Sequence, residues 1–326
     1  MKYLLFACSL TFLFTTCGEE KFLPREKALG KIVQKVEKKS PEKATAPIYA
    51  SYDYGASWEP VEGGFSDSVG IGRIGKIGDQ IIVSTFNAGL FLENKSGQKW
   101  HQIGEELPQK QVNALHIADE SIFVGMYRNG IYKSDDKGQS WQSMNYDLPD
   151  LRVQSILKTK HQLFAGTDSG IFEYSVAEKK WTHRFEDVQV NALATYEDKI
   201  MAATNKGILL SNSEGKDWEW IHQEGAVFNA TILEGGTLMI SQQGDLFRSK
   251  DWGKTWEELF YFPKDNFGVL ETVELGQYLI MSHRNGIFRS SDGGNLWFQM
   301  LQPFDLPFSE LFVDDKVIYA SGASGC

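Results

Sequence analysis

The octapeptide Ser134-Asp135-Asp136-Lys137-Gly138-Gln139-Ser140-Trp141 follows the pattern Ser-x-Asp-x-Gly-x-x-Trp. Three further segments share the pattern, at residues 51–58, 249–256 and 290–297. Three eroded versions keep the final Trp, at residues 93–100, 174–181 and 211–218. Because a Trp therefore recurs about every 40 residues, the sequence predicts an array of stacked supersecondary units.

Each period contains the same succession of short strands and turns. The second period has an inner strand at Val112–Leu115, a strand at Ser121–Gly125, a turn at Tyr127–Gly130 and a further strand at Ile131–Ser134. The octapeptide follows as a hairpin loop, and Trp141 begins an outer strand. Four short strands separated by turns are typical of one blade of a β-propeller.

The two ends of the repeat region complement each other. The first unit begins at Ala46–Ala50, which corresponds to a third strand, and the last unit has only the two inner strands, at residues 308–311 and 317–320. Joining them would complete one blade and remove the exposed edges of an open array. We therefore predict an all-β fold, a seven-bladed β-propeller of four-stranded antiparallel blades over residues 46–326, closed by strands from both termini.

The N-terminal segment has the features of an export signal. Lys2 precedes a short apolar stretch, Leu4–Phe14, which is too short to span a bilayer. The following Thr15-Thr16-Cys17 resembles a bacterial lipoprotein cleavage site, which implies a signal peptide at residues 1–16 and a lipid on Cys17. The alternative is cleavage near Cys17 without lipid. We expect a lipid-anchored protein of the bacterial cell envelope, at the outer membrane and either periplasmic or surface-exposed.

Residues 17–45 form a predicted basic tether. Four apolar residues between Leu29 and Val36 have helical spacing, and lysines occupy the other faces, which would suit a short amphipathic helix on anionic lipid. The alternative is a soluble tether or a helix that caps the propeller. The chain as a whole carries a formal net charge of −10. Since an acidic body repels phosphate, we expect no nucleic-acid partner.

The sequence contains little cofactor chemistry. Of its three cysteines, Cys8 lies in the signal and Cys326 is the last residue, so no disulfide is expected within the propeller. The six histidines lack zinc-ligand spacing, and there is no phosphate-binding glycine loop. We expect no cofactor, no metal and a monomeric protein.

The octapeptides resemble the BNR or Asp-box repeats of bacterial sialidases, xyloglucanase-type glycosidases, the sortilin ectodomain and photosystem II stability/assembly factor-like propellers. The resemblance implies a propeller over nearly the whole mature chain. The sialidase family resembles a six-bladed propeller in which three Arg side chains grip a carboxylate, and it usually carries a further Arg in the segment ahead of the first box. The corresponding segment here, residues 46–49, contains no Arg. Assembly-factor-like propellers are single seven-bladed binding scaffolds, and this chain resembles them more closely.

The boxes themselves are predicted to be structural. A carboxylate can accept backbone N–H groups in a tight loop, Gly permits an unusual conformation, and Trp fills the space between strands. A calcium or sugar site would need several converging oxygens, and each box offers one carboxylate. The residues assigned this role are Asp53, Trp58, Asp136, Trp141, Asp251, Trp256, Asp292 and Trp297.

A ligand site is expected on the rim opposite the boxes, where the turns between second and third strands lie. Its aromatic, amide and cationic groups would suit a peptide or a glycan. The predicted rim residues are Phe86, Asn87, Tyr127, Arg128, Arg152, Asp168, Lys206, His283 and Arg284, with Asn113, Gln154, Asn191 and Asn229 at the channel mouth. The alternative is that these turns are polar only because they are exposed to water.

One position of the inner strand is unusual. Ala or Ser occupies it in four blades, as Ala114, Ser155, Ala192 and Ala230, whereas blades 1, 6 and 7 carry Arg73, Glu271 and Glu310. These three are weak catalytic candidates, since glycoside hydrolysis uses two carboxyl groups about 5 to 9.5 Å apart. The alternative is an ion-pair bridge that stabilises ring closure.

Taken together, the sequence predicts a membrane-anchored, non-catalytic propeller that binds a protein or a glycan. The alternative is a divergent glycoside hydrolase, either sialidase-like or xyloglucanase-like.

Overall fold

The computed structural model describes residues 34–35, 47–61, 69–94, 99–242, 245–260, 269–302 and 308–322. The predicted signal peptide, Cys17, most of the tether and Cys326 lie outside the described residues, so those expectations stay predictions. No helix in the described ranges is long and apolar enough to cross a membrane.

The described strands form seven antiparallel sheets arranged as blades. The chain begins with β1 (Gln34–Lys35), β2 (Ile48–Ser51) and β3 (Glu59–Pro60). Blade 1 contains β4 (Ile71–Ile77), β5 (Gln80–Thr85), β6 (Leu90–Asn94) and β7 (Lys99–Ile103). Blade 2 contains β8 (Ala114–Ala118), β9 (Ser121–Met126), β10 (Gly130–Ser134) and β11 (Gln142–Ser143). Blade 3 contains β12 (Val153–Lys158), β13 (Leu163–Thr167), β14 (Gly170–Ser175) and β15 (Lys180–Glu186).

The remaining blades repeat this order. Blade 4 contains β16 (Val190–Tyr196), β17 (Lys199–Thr204), β18 (Gly207–Ser211) and β19 (Glu219–His222). Blade 5 contains β20 (Val227–Ile232), a 3₁₀ turn (Glu234–Gly236), β21 (Leu238–Gln242), β22 (Asp245–Ser249) and β23 (Glu257–Phe260). Blade 6 contains β24 (Val269–Leu275), β25 (Tyr278–His283), β26 (Gly286–Ser290) and β27 (Phe298–Leu301), and blade 7 begins with β28 (Phe308–Asp314) and β29 (Val317–Gly322).

Blade 7 is completed by strands from the other end of the chain. Its sheet has the order β28-β29-β2-β3. Strand β2 pairs antiparallel with β29, and Tyr49 lies opposite Ala320. The prediction of an all-β propeller with seven four-stranded blades, closed by both termini, is therefore confirmed.

Strand β1 is the described part of the basic tether. It pairs in parallel with β27, with Gln34 opposite Phe298 and Lys35 opposite Gln299. Two residues of the tether thus add a fifth strand to the outer edge of blade 6. Gln34 and Lys35 lie within the predicted helical stretch 29–36 and are extended here, whereas the rest of that stretch lies outside the described ranges and stays a prediction.

The hydrophobic core lies between neighbouring blades. Ile82 and Leu90 of blade 1, for example, pack with Ile122 and Val124 of blade 2 in one buried cluster. Close approach near the axis requires small residues: a Cβ on Gly125 would lie 2.6 Å from Cγ1 of Val153 in the next blade. Since apolar area is buried mainly at these seams, each blade depends on its neighbours for stability.

The octapeptides form tight hairpin loops. The Asp136 carboxylate accepts hydrogen bonds from Ser134 Oγ at 2.8 Å and from the backbone N and Oγ of Ser140 at 2.8 and 2.6 Å. These bonds, led by that from the Ser140 hydroxyl, lower the pKa of Asp136 to about 2. Ser134 Oγ in turn accepts the N–H of Gly138, whose φ is +84°.

The other complete boxes repeat this arrangement with small changes. The Asp53 and Asp251 carboxylates accept the backbone and hydroxyl groups four residues later, and Asp292 accepts the backbone N–H of Leu296. Trp58, Trp256 and Trp297 are buried. Trp141 is half-buried and its indole donates to the carbonyl of Gly138 at 3.2 Å. Both carboxylate oxygens of Asp53, Asp136 and Asp251 thus have partners within their own loops, and Oδ1 of Asp292 does as well.

Candidate functional site

The chain presents two rims on opposite ends of the blades. We use "turn rim" for the end that carries the turns between second and third strands, such as residues 86–89 and 127–129. We use "box rim" for the end that carries the octapeptides and the turns between first and second strands, such as residues 119–120. Because strands alternate in direction, the entry of each inner strand lies at the turn rim.

Most predicted rim residues are accessible there. Phe86, Asn87, Arg128, Arg152, Lys206 and Arg284 are exposed, and Tyr127 and Asp168 are half-buried. The Arg128 guanidinium lies 5.3 Å from the centre of the Tyr127 ring. Phe86 lies beside the predicted residues of the channel mouth, whereas the other rim residues are spread over blades 2, 3, 4 and 6.

Arg152 is held by ion pairs. Its Nε lies 2.9 Å from Asp150, which is buried, and its terminal nitrogen lies 3.3 Å from Asp168. Asp168 also accepts a hydrogen bond of 2.8 Å from Gln154. These contacts fix the turn at the start of blade 3 and occupy the groups that a ligand would otherwise use.

The placement of His283 in the ligand-facing set requires correction. Its side chain is fully buried, 5.7 Å from the ring of Phe260 and 5.8 Å from that of Phe288. Its Nδ1 accepts the backbone N–H of Asn285 at 3.0 Å. Thr204 makes the equivalent bond to Lys206 in blade 4, so His283 caps a turn in place of a threonine.

A cavity of about 360 Å³ lies at the mouth of the central channel. Two aromatic side chains flank it, Phe86 and Phe228, which are 42% and 59% exposed. Amide side chains of Asn113, Gln154 and Asn191 line the wall between them. Exposed phenyl rings beside amide groups form a surface that can bury part of a ligand and also hydrogen-bond to it.

Phe228 was missed because the sequence alignment of blade 5 is one residue out of register. In the structure Ser155 lies opposite Gly166, Asn229 opposite Ser241 and Glu271 opposite Ser282. A β-bulge follows the first paired residue of the inner strand in each of blades 3 to 7, so Val227 corresponds to Val153 and Val190. Asn229, and not Ala230, therefore occupies the unusual inner-strand position, and Phe228 occupies the mouth position held by amides in blades 2 to 4.

The inner-strand position forms a ring around the channel. All its members line a second cavity of about 340 Å³, deeper along the axis. Several side chains near this ring bond to the backbone of the next blade: Asn191 donates to Val227 O at 2.8 Å, and Asn229 donates to Leu270 O at 2.9 Å. Polar side chains at the axis thus connect consecutive blades.

Glu271 and Glu310 take part in the same pattern. Glu271 accepts the backbone N–H of Leu311 at 2.6 Å, and Glu310 accepts that of Ile74. Ser155 accepts the backbone N–H of Leu193 in the corresponding way, at 3.1 Å. The two carboxyl groups therefore join blade 6 to blade 7 and blade 7 to blade 1.

Arg73 completes the network. Its guanidinium donates to Glu310 at 2.8 Å and to the carbonyl of Asn113 in blade 2 at 3.2 Å. The side chain of Arg73 is 37% exposed to the channel, whereas that of Glu310 is 9% exposed. The charge of Glu310 raises the pKa of Arg73, so the guanidinium remains charged.

A hydrogen bond also joins the two carboxyl groups. Burial raises the pKa of Glu271 well above its usual range, and the neighbouring Glu310 carboxyl raises it further. Burial also raises the pKa of Glu310, although Arg73 opposes this shift. The arrangement favours a proton on Glu271, which donates to Glu310.

This contact is too close for glycoside hydrolysis by these two residues. Retaining and inverting enzymes separate their carboxyl groups by about 5 and 6.5 to 9.5 Å, which leaves room for the sugar or for water. Glu271 and Glu310 are in direct contact and are engaged by backbone N–H groups. Within the described residues no group of three His, Cys, Asp or Glu could hold a metal ion.

Comparison with known proteins agrees with the fold. A family model of the BNR-Asp box repeat matches residues 246–259, and no curated protein sequence matches the chain. The structure "YCF48 bound to D1 peptide" is similar, with a TM-score of 0.63, 15% identity and coverage of 87% of this chain and all of that one.

Two larger proteins share the same architecture. The extracellular domain of the hybrid two-component system BT4673 from B. thetaiotaomicron has a TM-score of 0.65 and 17% identity, over 82% of this chain and 40% of that one. The GH74 xyloglucanase from Xanthomonas campestris has a TM-score of 0.61 and 12% identity, over 79% of this chain and 52% of that one. At these identities the likeness extends to the propeller fold alone.

Proposed function

We propose that this propeller is a non-catalytic scaffold that binds a segment of a partner protein at the turn rim, over the mouth of the central channel. The observation that carries the proposal is the mouth cavity, where Phe86 and Phe228 are exposed on either side of an amide-lined wall. Large exposed aromatic side chains beside hydrogen-bonding groups are characteristic of binding surfaces.

The chemistry of the channel supports binding over catalysis. The carboxyl groups nearest the cavity hold the ring closed through Leu311 and Ile74, and Arg73 balances Glu310. A ligand over the mouth would therefore face the charge-balanced pair of Arg73 and Glu310 below it. The phenyl rings and amide side chains would contact it from the sides. A glycan could use the same wall, and it is the alternative ligand class.

The similar structures include precedents for both ligand classes, peptide and glycan. One similar protein is described as bound to a peptide, and another is a xyloglucanase. The peptide-bound structure is matched over its whole length, whereas the xyloglucanase is matched over 52% of its length. Because the peptide-bound protein is matched over its whole length, it is the better precedent, and we favour a peptide ligand.

The proposed location is the bacterial cell envelope, with the chain anchored by lipid on Cys17. The support comes from the sequence alone: a short apolar segment precedes a Cys in a setting that resembles lipoprotein cleavage sites. Cys17→Ser should move the protein from the membrane to the soluble fraction. Retention of the variant in the membrane fraction would contradict lipid anchoring without affecting the binding proposal.

The binding proposal is tested by site-specific photo-crosslinking in the native envelope. A photoreactive amino acid at Asn87 on the turn rim should capture a discrete protein partner, and the double substitution Phe86→Ala and Phe228→Ala should abolish capture. The matched control carries the photoreactive group at Tyr52, which is 64% exposed on the box rim. Equal capture from both rims would refute the assignment.

A parallel assay separates the enzymatic alternative. Fluorogenic glycosides should show no turnover with the purified chain. Turnover that Glu310→Gln abolishes, with the fold intact by circular dichroism, would establish the glycoside hydrolase and overturn the scaffold proposal.

A further inference from the structure

The seam between blades 2 and 3 is built differently from its neighbours. In blades 2, 4, 5 and 6 the glycine of the box packs against a side chain of the preceding blade. A Cβ on Gly138 would lie 2.5 Å from Ile103, one on Gly253 2.6 Å from Ile221, and one on Gly294 2.6 Å from Leu259. The box loop thus fills the seam on the box rim.

Blade 3 has no box glycine to pack against blade 2 in this way. Its eroded octapeptide has no glycine, and residues 176–179 form a plain hairpin turn between β14 and β15. The indole of Trp181 donates to the carbonyl of Met144 in blade 2 at 2.6 Å, whereas Trp218 donates within its own box, to Gly215 at 3.0 Å. The loop therefore leaves the seam with blade 2 open.

The opened seam contains a cavity of about 560 Å³. Tyr146 and Tyr174 form part of its wall, and the phenyl ring of Phe123 and the side chain of Leu163 lie deeper in it. Tyr146 is 61% exposed. A cavity of this volume is within the range of small-molecule sites, which is about 300 to 1,000 Å³.

The charge of the cavity is opposite to that of the chain. Lys133, Lys158, Lys179 and His161 line it, and no carboxylate does, although the protein carries a formal net charge of −10. Lys133 and Lys158 contact Asp135 and Asp119, which are 58% and 83% exposed beside the cavity. Among the described residues Lys179 makes no ion pair.

The turn between the first two strands of blade 3 reinforces this difference. It reads Thr159-Lys160-His161-Gln162 and follows Lys158, whereas the corresponding turns of blades 1, 2, 4, 5 and 7 contain a carboxylate. The basic residues of this turn thus add to the lysines that line the seam. Local concentration of one sign of charge in a cleft attracts ligands of the opposite sign.

The geometry points to a binding site for a small organic anion, a carboxylate with an aromatic or aliphatic body, in the seam between blades 2 and 3. The apolar body would lie against Phe123 and Tyr174. The carboxylate would lie towards the ammonium groups of Lys158 and Lys179. This site lies on the box rim, away from the mouth cavity, and does not depend on the partner proposed there.

The test uses the full chain and matched pairs of probes. Phenylbutyrate, phenylacetate and octanoate are titrated by calorimetry at low salt, each beside its neutral amide. We expect saturable binding of the carboxylates, about tenfold tighter than that of the amides, because a hydrogen bond to a charged group is about twice as strong as a neutral one and about 1.4 kcal/mol corresponds to a factor of ten.

Variants locate the site. Lys179→Glu should weaken carboxylate binding about tenfold, and Ser143→Trp, on the exposed strand β11, should block the cavity. Lys316→Glu, an exposed lysine of the same rim in blade 7, is the control and should bind as the unmodified chain does. Equal affinity for acid and amide, equal weakening by Lys179→Glu and Lys316→Glu, or no saturable binding of all three probes would overturn the inference.

Discussion

Glu310 accepts a hydrogen bond of 2.8 Å from Arg73, and this contact joins the inner strands of the last and first blades. The partners are 237 positions apart in the sequence. Glu310 also accepts the backbone N–H of Ile74, so the same carboxylate makes a charged and a neutral bond across one seam. The closure of the ring therefore depends on polar contacts at the axis as well as on the strands of blade 7.

Removing one partner of this pair should destabilise the propeller. Arg73→Ala leaves the Glu310 carboxylate buried without its cation, and we expect a loss of about 2 to 3 kcal/mol, below the cost for a fully buried pair because Arg73 is partly solvated. Urea unfolding measures the change. Lys180→Ala, which removes an exposed ion pair with Glu178, is the control and should cost far less, because exposed ion pairs contribute little to stability.

Glu271 should make stability depend on pH in the opposite sense to an ordinary ion-paired carboxylate. Its pKa is raised in the folded protein, mainly by burial. The folded state therefore holds a proton that the unfolded chain releases near pH 4.3, and this stabilisation is lost as pH rises through the folded-state pKa.

Glu271→Gln tests this sign. The amide keeps an acceptor for Leu311 and a donor for Glu310 but cannot ionise. We expect the variant to gain stability over the parent chain between pH 5 and pH 8, as measured by urea unfolding at each pH. Glu197→Gln, in an exposed turn, is the control. The prediction fails if the free energy of unfolding of the parent chain rises relative to that of the Glu271→Gln variant as pH increases. That result would contradict a buried, protonated Glu271.

Acid should protonate the box carboxylates and remove their contribution to the stability of the fold. The pKa of Asp136 is lowered to about 2 by the bonds from Ser140 and Ser134. A group with a lowered folded-state pKa stabilises the fold above its unfolded value and loses that contribution as pH falls through the folded one. The NMR signal of the Ser140 amide should therefore titrate near pH 2, and Asp136→Asn should remove the transition. A midpoint near 3.8 would mean that the loop bonds do not hold the carboxylate.

The box glycines should tolerate no side chain. Gly138→Ala combines a φ of +84° with a Cβ position 2.5 Å from Ile103, and we expect a cost of about 2 to 5 kcal/mol from backbone strain and overpacking. Gly235→Ala is a matched control, since φ is +75° there but nothing lies within 4 Å. It should cost about 1 to 2 kcal/mol from the backbone alone. Equal costs in thermal unfolding would exclude the seam contact as a source of stability.

The architecture was accessible from sequence because its signals are local and repeated. Each box predicts the position of a hairpin, and the incomplete units at the two ends of the repeat region predict how the ring closes. The pairing of Tyr49 with Ala320 follows from these incomplete units without any knowledge of the intervening packing.

The site was less accessible because it depends on register and burial. Either Val227 or Phe228 could begin the inner strand of blade 5 by residue type, and the pairing of Val227 with Gln242 places Asn229 in the ring and Phe228 at the mouth. Histidine in a turn is a residue type that often faces a ligand, yet neighbouring aromatic rings bury His283. The open seam had a visible signal, the missing glycine of residues 174–181, but its consequence required the packing of the adjacent blade.

The composite seventh blade has a consequence for biosynthesis. Strand β2 emerges from the ribosome long before β29, its partner, so the blade cannot form until β29 has been made. Until then β2 and the outer face of blade 1 lack their neighbours, and unpaired strand edges promote association between chains. Because this pairing joins opposite ends of the repeat region, we expect it to form late and slowly in folding.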